Sequence, residues 1–272
     1  MTEVSAIPAA VPDRRPVPHR GGGFVARSQP WAPWAAFAVL VALWEGAVRG
    51  GLVSPVFLPA PSHVVAALYD LFARGTIWRH VGDSLYRIVL GWLAGTAAGL
   101  AAGFAVGIFS TARAAGLPLV SALFPVPKIA LLPLLILWLG IGEASKVATI
   151  ALGVFFPTVI ATYSGVDGVA RNLIRMAQSF DLPPRAILVK VVLPGTLPAI
   201  LSGFRITASI ALILLVAAEM IGAEYGIGAF ILAAGNLYQT DQLLAGVAML
   251  SALGLLIHTL LSRLERWLLR WR

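Results

Sequence analysis

Besides Glu45, which interrupts the first apolar window, three ionisable side chains stand inside or at the end of windows that are otherwise apolar: Lys128, Arg205 and Glu219. A charge held in hydrocarbon is costly, so each demands a partner, a watery path or an escape to the interface. Lys128 lies between Pro127 and Pro133, where a helix is expected to break. Broken backbone is tolerated at membrane depth where it lines a cavity. Lys128 is therefore a candidate to line a path and meet an anionic substrate. Two other readings compete: the break brings it to the cytoplasmic surface, or it pairs with a buried acid such as Glu219. Arg205 is a second candidate for a path or gate, set against snorkelling or an interhelix bond. Glu219 reads as a gate, as a helix anchor, or as an interfacially solvated acid.

Covalent chemistry finds less support. Ser202 and His258 fall at similar depth, which would suit an intramembrane hydrolase. No acid lies near either in sequence to orient the imidazole, so no catalytic residue is assigned. The histidines His19, His63, His80 and His258 show neither H-E-x-x-H nor clustered ligand spacing, so no metal site is expected. The three lysines, Lys128, Lys146 and Lys190, all lie outside a G-x-x-x-x-G-K-[ST] context. Any ATP hydrolysis is then the work of a separate chain.

The elements that would hold these residues are membrane helices. Of 272 residues 59% are hydrophobic and 12% charged, about half the charge of a soluble domain. There is no cysteine, which excludes a disulfide scaffold. Twenty Lys+Arg against twelve Asp+Glu give a net charge of +8. In a membrane protein that excess marks cytoplasmic loops, and no basic, aromatic-studded groove suggests nucleic acid. The fold class is all-α, a polytopic bundle of about six transmembrane helices.

Residues 1–29, with four prolines, four arginines and Gly21-Gly22-Gly23, read as a flexible basic cytoplasmic tail. Arg14-Arg15 resembles a twin-arginine signal, but no convincing cleavage site follows, which favours a retained first helix. Residues 30–272 form the transmembrane domain. Charge-poor windows predict spans at about 31–48, 85–109, 117–139, 146–164, 196–218 and 243–262. A short amphipathic helix is expected at 62–72, and Gly-rich 222–241 reads as a loop. With the N-terminus inside, the cytoplasmic segments hold thirteen basic residues: Arg14, Arg15, Arg20, Arg27, Arg113, Arg171, Arg175, Arg185, Lys190, Arg263, Arg266, Arg270 and Arg272. The outer loops hold four: Arg49, Arg74, Arg79 and Lys146. The bias puts both termini in the cytoplasm.

Two patterns concern packing and motion. Gly91, Gly95, Gly99, Gly103 and Gly107 recur every fourth residue, leaving a neighbouring backbone room to approach. The stripe is either a tight packing seam or a surface for sliding. In the loop at about 165–194, Leu173, Met176, Ala177 and Phe180 share one helical face, and Arg171, Arg175, Gln178 and Asp181 the opposite one. Pro183-Pro184 stops that helix and starts another. The result is a helix–turn–helix knob, or alternatively a helix lying on lipid. Glu265-Arg266-Trp267 and Arg270-Trp271-Arg272 read as an interfacial anchor.

Met176-Ala177-Gln178-Ser179-Phe180-Asp181, followed after nine residues by Val191-Val192-Leu193-Pro194, resembles the coupling loop of ABC importer permeases. Pro194-Gly195-Thr196-Leu197-Pro198-Ala199-Ile200, Gly203-Phe204-Arg205 and Ala217-Ala218-Glu219 are similar to the branch that imports sulfonates, taurine and nitrate. So are Pro127-Lys128-Ile129-Ala130-Leu131-Leu132-Pro133-Leu134, Trp138-Leu139-Gly140-Ile141-Gly142, Gly226-Ile227-Gly228 and Gln239-Thr240-Asp241. The resemblance spans residues 31–272. It departs where the family's glutamate is Arg175, its first alanine Met176 and its glycine Asp181. Asp tolerates the left-handed backbone region and bonds its own turn, so the knob should keep its shape. Arg175 reverses a charge at the family's ATPase contact.

The resemblance implies a type I ABC importer permease, acting as a homodimer in a bacterial inner membrane, among lipid. Two copies of a separate ATPase, carrying ATP and Mg, and an extracytoplasmic substrate-binding protein are the implied partners. Arg175, Ala177, Ser179, Phe180, Asp181, Leu182 and Arg185 are the implied ATPase-coupling residues. The cargo is a small anion, with a pyrimidine precursor or aromatic acid as alternatives. A secondary transporter is the remaining rival, although no convincing internal repeat is visible.

Overall fold

The computed structural model describes residues 29–271. Nearly all of the expected basic tail, and Arg272, lie outside them. Five described helices are long and apolar enough to cross a membrane, and a sharply bent pair brings the number to six when it is counted as one span.

The first span, α1 (Ala32–Arg49), starts on a proline in its first turn and is apolar apart from Glu45 and Arg49. Glu45 does not stand unpaired in lipid. It accepts the Ser62 amide at 3.0 Å and the Ser62 hydroxyl at 2.7 Å, and so satisfies the first turn of α2 (Pro61–Ala73).

The next helix, α3 (Ile77–Ile108), has 32 residues, about 48 Å at 1.5 Å per residue. It begins well before the predicted window, taking in His80 and Asp83. The predicted third span is broken: α4 (Ser110–Leu123) and α5 (Leu132–Leu139), joined through a 3₁₀ turn at Lys128–Leu131, are bent by 87°. Pro125, Pro127 and Pro133 forbid a continuous ladder there.

Helix α6 (Glu143–Asp167) runs down the glycine stripe. Gly91 meets Ile150, Gly95 meets Ala151, Gly99 meets Thr158, Gly103 meets Thr162 and Gly107 meets Val166. Both numberings rise together, so α3 and α6 are parallel, and α4–α5 must return the chain to its starting level. A methyl group on Gly99 would lie 2.6 Å from Thr158 Cβ and 2.9 Å from the Phe155 carbonyl. Thr158 and Thr162 each donate their hydroxyl to a carbonyl one turn back, both at 2.8 Å. The threonine methyl groups, rather than their hydroxyls, therefore face Gly99 and Gly103.

Next come α7 (Arg171–Ser179), α8 (Pro184–Ile187) and a π turn at Leu188–Val192 that leads into α9 (Leu193–Gly222). The second helix of the knob is thus the root of the fifth span, one continuous rod over Pro184–Gly222. Pro194 lacks the N–H that the ladder needs, and the wide turn, closed by Leu193 N–H on the Leu188 carbonyl, absorbs the mismatch. Helix α9 packs antiparallel to α6, with Gly165 against Thr196 and Gly203 against Ala161. Ile88, Ile150, Val154, Ala211, Leu214 and Leu215 form the buried core of these three helices.

The stretch read as a Gly-rich loop contains α10 (Ile227–Asn236). Tyr238, at φ 57°, turns the chain into α11 (Thr240–Leu268), which runs back along α9.

Candidate coupling knob and buried ion cluster

At one end of the bundle α7 and the root of α9 build the knob. The turn after α7 is a Schellman cap. Leu182 N–H reaches the Ala177 carbonyl at 3.3 Å and Asp181 N–H the Gln178 carbonyl at 3.0 Å. The residue between them in the left-handed region is Asp181, at φ 52°. This is the backbone angle that glycine supplies most cheaply, and Asp is among the few residues that replace it.

Ala177 is buried under this turn, whereas Leu173, Met176 and Phe180 point outward, Phe180 with 72% of its surface exposed. A groove of about 340 Å³ lies between Leu173, Met176 and Phe180 on one side and Leu182 and Pro194 on the other. Trp271 closes it, so this tryptophan packs toward the knob, a contact that the interfacial-anchor reading did not include. Arg175, Ser179, Asp181 and Arg185 are exposed around it, and the Ser179 hydroxyl caps the Met176 carbonyl at 2.8 Å. From Thr196 to Pro184 is twelve residues along the rod, about 18 Å.

At the other end four elements converge on Arg87, which is 2% exposed. Its guanidinium makes four hydrogen bonds: two to the Glu143 carboxylate (2.6 and 2.7 Å), one to Glu219 (2.8 Å) and one to the Tyr225 carbonyl (2.6 Å). Glu219, 1% exposed, also accepts the Ser84 hydroxyl at 2.7 Å and the Gly228 amide at 2.8 Å. Ser84 in turn accepts the Ile227 amide at 2.8 Å, and the Gly226 amide donates to His80 Nδ1 at 3.1 Å. Glu219 therefore caps the N-terminus of α10 from α9, where a negative charge also complements the helix dipole. Gly226 has φ 142°, and a side chain there would strike the Glu219 carboxyl and come within 2.7 Å of Arg87. Lys146, counted from sequence with an outer loop, is 4% exposed and donates to the Ile141 and Gly142 carbonyls, both at 3.0 Å.

The remaining predicted residues have local partners. Lys128 sits in the break between α4 and α5. Its ammonium takes the carbonyls of Leu123, Phe124 and Val126 at 2.7, 3.0 and 2.7 Å, and lies 4.6 Å from the centre of the Phe156 ring. It pairs with none of the buried acids. Arg205 forms an ion pair with Glu265 that ties α9 to α11. Glu219 faces Arg87 within the cluster, buried at 1% exposure. Sequence reasoning missed Arg87, Glu143, Ser84 and His80 as a group. Their signal was that Arg87, Glu143 and Glu219 all sit at span ends of matching level, where unlike charges can find one another.

Residues 95–271 match the family described as binding-protein-dependent transport system inner membrane component. The taurine transport system permease protein TauC of Escherichia coli is 38% identical over 239 residues, covering 86% of this chain and 87% of the relative. The putative aliphatic sulfonates transport permease protein SsuC of Bacillus subtilis is 37% identical over 235 residues, covering 86% and 85%. An inward-facing structure of the MetNI methionine ABC transporter superposes with a TM-score of 0.61 at 21% identity, over 70% of this chain and 94% of that one. That superposition carries the type I permease fold. The chain belongs to the inner-membrane-component family of binding-protein-dependent transport systems.

Proposed function

We propose that this chain is the membrane-spanning half of an ATP-driven importer of a small sulfonate-type anion such as taurine, an alkylsulfonate or nitrate. Two copies form the path, two ATPase chains carrying ATP and Mg dock inside, and a binding protein delivers cargo outside. The knob faces the cytoplasm, as do both termini, which agrees with the thirteen-to-four bias of basic residues. For a plain anion the membrane potential opposes entry by about 2.3 kcal/mol per charge per 100 mV, which gives ATP coupling its purpose. The cargo follows the taurine and sulfonate relatives.

One observation carries the reading: an exposed apolar face, Leu173, Met176 and Phe180 on α7 and its closing turn, packs beside the root of a rod continuous with a membrane span. Such a rod transmits a shift of the knob to the bundle as a rigid-body motion. The contact falls to Phe180, Ser179, Leu182, Arg175 and Arg185, with Ala177 and Asp181 holding the turn. Lys128, at the break in the third span, borders the path.

Uptake and ATPase association, measured on the same preparations, test this. Phe180→Ala should lose the ATPase, and Lys128→Ala should slow uptake with the ATPase still bound. A Phe180→Ala complex that assembles and is stimulated normally would overturn the coupling role. Because the chain has no cysteine, a single cysteine at Ser179 reports its side directly. Labelling from outside would reverse the orientation.

A further inference from the structure

Beside Arg87 lies a cavity of about 370 Å³ that opens to the surface between the start of α3, the start of α6 and the turn from α9 into α10. Its walls carry Arg79, Asp83, Glu143, Lys146 and Glu224. Such concave sites, lined by a few convergent polar groups, are where small ligands bind.

Counting which charges are already engaged decides what fits. Arg87 spends four hydrogen bonds on Glu143, Glu219 and the Tyr225 carbonyl, and both Glu143 oxygens are taken by it. Lys146 is buried with only two carbonyl acceptors, which leaves one of its three hydrogens for the cavity. Arg79 lies over the Tyr225 ring, its Cζ 3.5 Å from the ring centre, and has no carboxylate within 4 Å among the described residues. On the acid side, Asp83 is 39% exposed and only grazes Arg87 at 3.9 Å, and Glu224 is exposed. Two cations and two anions thus remain available.

The sum points the same way. Arg79, Arg87 and Lys146 contribute three positive charges to the walls, and Asp83, Glu143 and Glu224 three negative ones, so the walls sum to zero. A ligand with only a negative charge leaves the two free carboxylates, Asp83 and Glu224, without a partner. A ligand with a negative and a positive group a few bonds apart meets a partner for each.

We propose that this cavity is a binding site for a small zwitterion, with its sulfonate or carboxylate on Arg79 and Lys146 and its ammonium on Asp83 and Glu224. This rests on the importer reading above and narrows its cargo to amino-sulfonates or amino acids, setting aside nitrate and simple alkylsulfonates. The site would take cargo at the mouth where the binding protein releases it.

The test is equilibrium binding of taurine and of ethanesulfonate, which lacks only the amino group, to the purified full-length chain in detergent. Taurine should bind at least about tenfold more tightly, the worth of one ion pair near a protein surface. Asp83→Asn and Glu224→Gln should each bring the ratio toward one, mainly by weakening taurine. Both side chains are at least partly exposed, so the fold should persist, and an unchanged melting temperature checks it. Equal affinity for the two probes, an unchanged ratio in both variants, or no saturable binding of taurine would overturn the proposal. None of those results touches the importer reading, which fails separately if no ATPase associates with the wild-type chain.

Discussion

At the Arg87 end, Arg87 and Glu219 are buried, and their donors and acceptors are matched by side chains, an amide and a carbonyl of other elements. At the Phe180 end, Arg171, Arg175, Arg185 and Lys190 stand in the open with no ionic partner among the described residues, beside apolar side chains that are also uncovered. The first arrangement is what a protein needs where neither water nor a partner compensates a charge. The second suits a surface that is completed by something else. On the proposed function, one end holds the bundle together and the other is gripped by the ATPase. Substitutions at the two ends should separate stability from assembly.

The largest effect is expected at Arg87. Arg87→Met leaves Glu219 buried without its counter-ion, and breaking a buried pair from one side costs about 3–5 kcal/mol. Folded protein should fall sharply, read as a lower melting temperature in detergent. Arg87→Met with Glu219→Gln removes both charges while keeping an acceptor for the Gly228 amide, and should recover more than half of the loss. If the single substitution melts like wild type, the cluster does not hold that end.

A smaller cost is expected along the glycine seam. Gly99→Ala places a methyl group against Thr158 and the Phe155 carbonyl at distances that force α3 and α6 apart, for about 1–3 kcal/mol of overpacking. Gly82 on the same helix has nothing within 4 Å of an added methyl, so Gly82→Ala should be neutral or slightly stabilising through helix propensity. Equal melting temperatures for the two variants would mean that the seam is loose, as a sliding surface would require.

Much of this division was visible in the sequence. The glycine spacing and the amphipathic knob are local patterns, written within one or two helical turns. Asp181 was legible for the same reason, because a Schellman turn is closed by residues five apart. The cluster was not legible, because Arg87 meets partners 56 and 132 residues away and no periodicity encodes that pairing. Helix α10 was hidden for a related reason. Gly228 and Gly235 lower its intrinsic propensity, and what stabilises it is close packing on α9 and α11, with its N-terminus capped by Glu219. The early start of α3 was masked by Arg79 and Asp83, charges that hydropathy assigns to a loop.

The smallest effect is the sharpest probe of the gripped end. Asp181 holds φ 52° with a side chain attached. Asp181→Gly removes that side chain at a position where glycine is at ease, so ATPase affinity should change by no more than about twofold. Asp181→Val puts a β-branched residue in the left-handed region, a strain of about 1–2 kcal/mol. The strain falls on the turn alone. The bundle's melting temperature should stay put while affinity for the ATPase drops by about 5–30-fold, the equilibrium equivalent of that strain. A valine variant that binds as well as the glycine one would show that the turn need not be preformed. A drop in melting temperature would show instead that the knob shares in the stability of the bundle, and the contrast between the two ends would have to be redrawn.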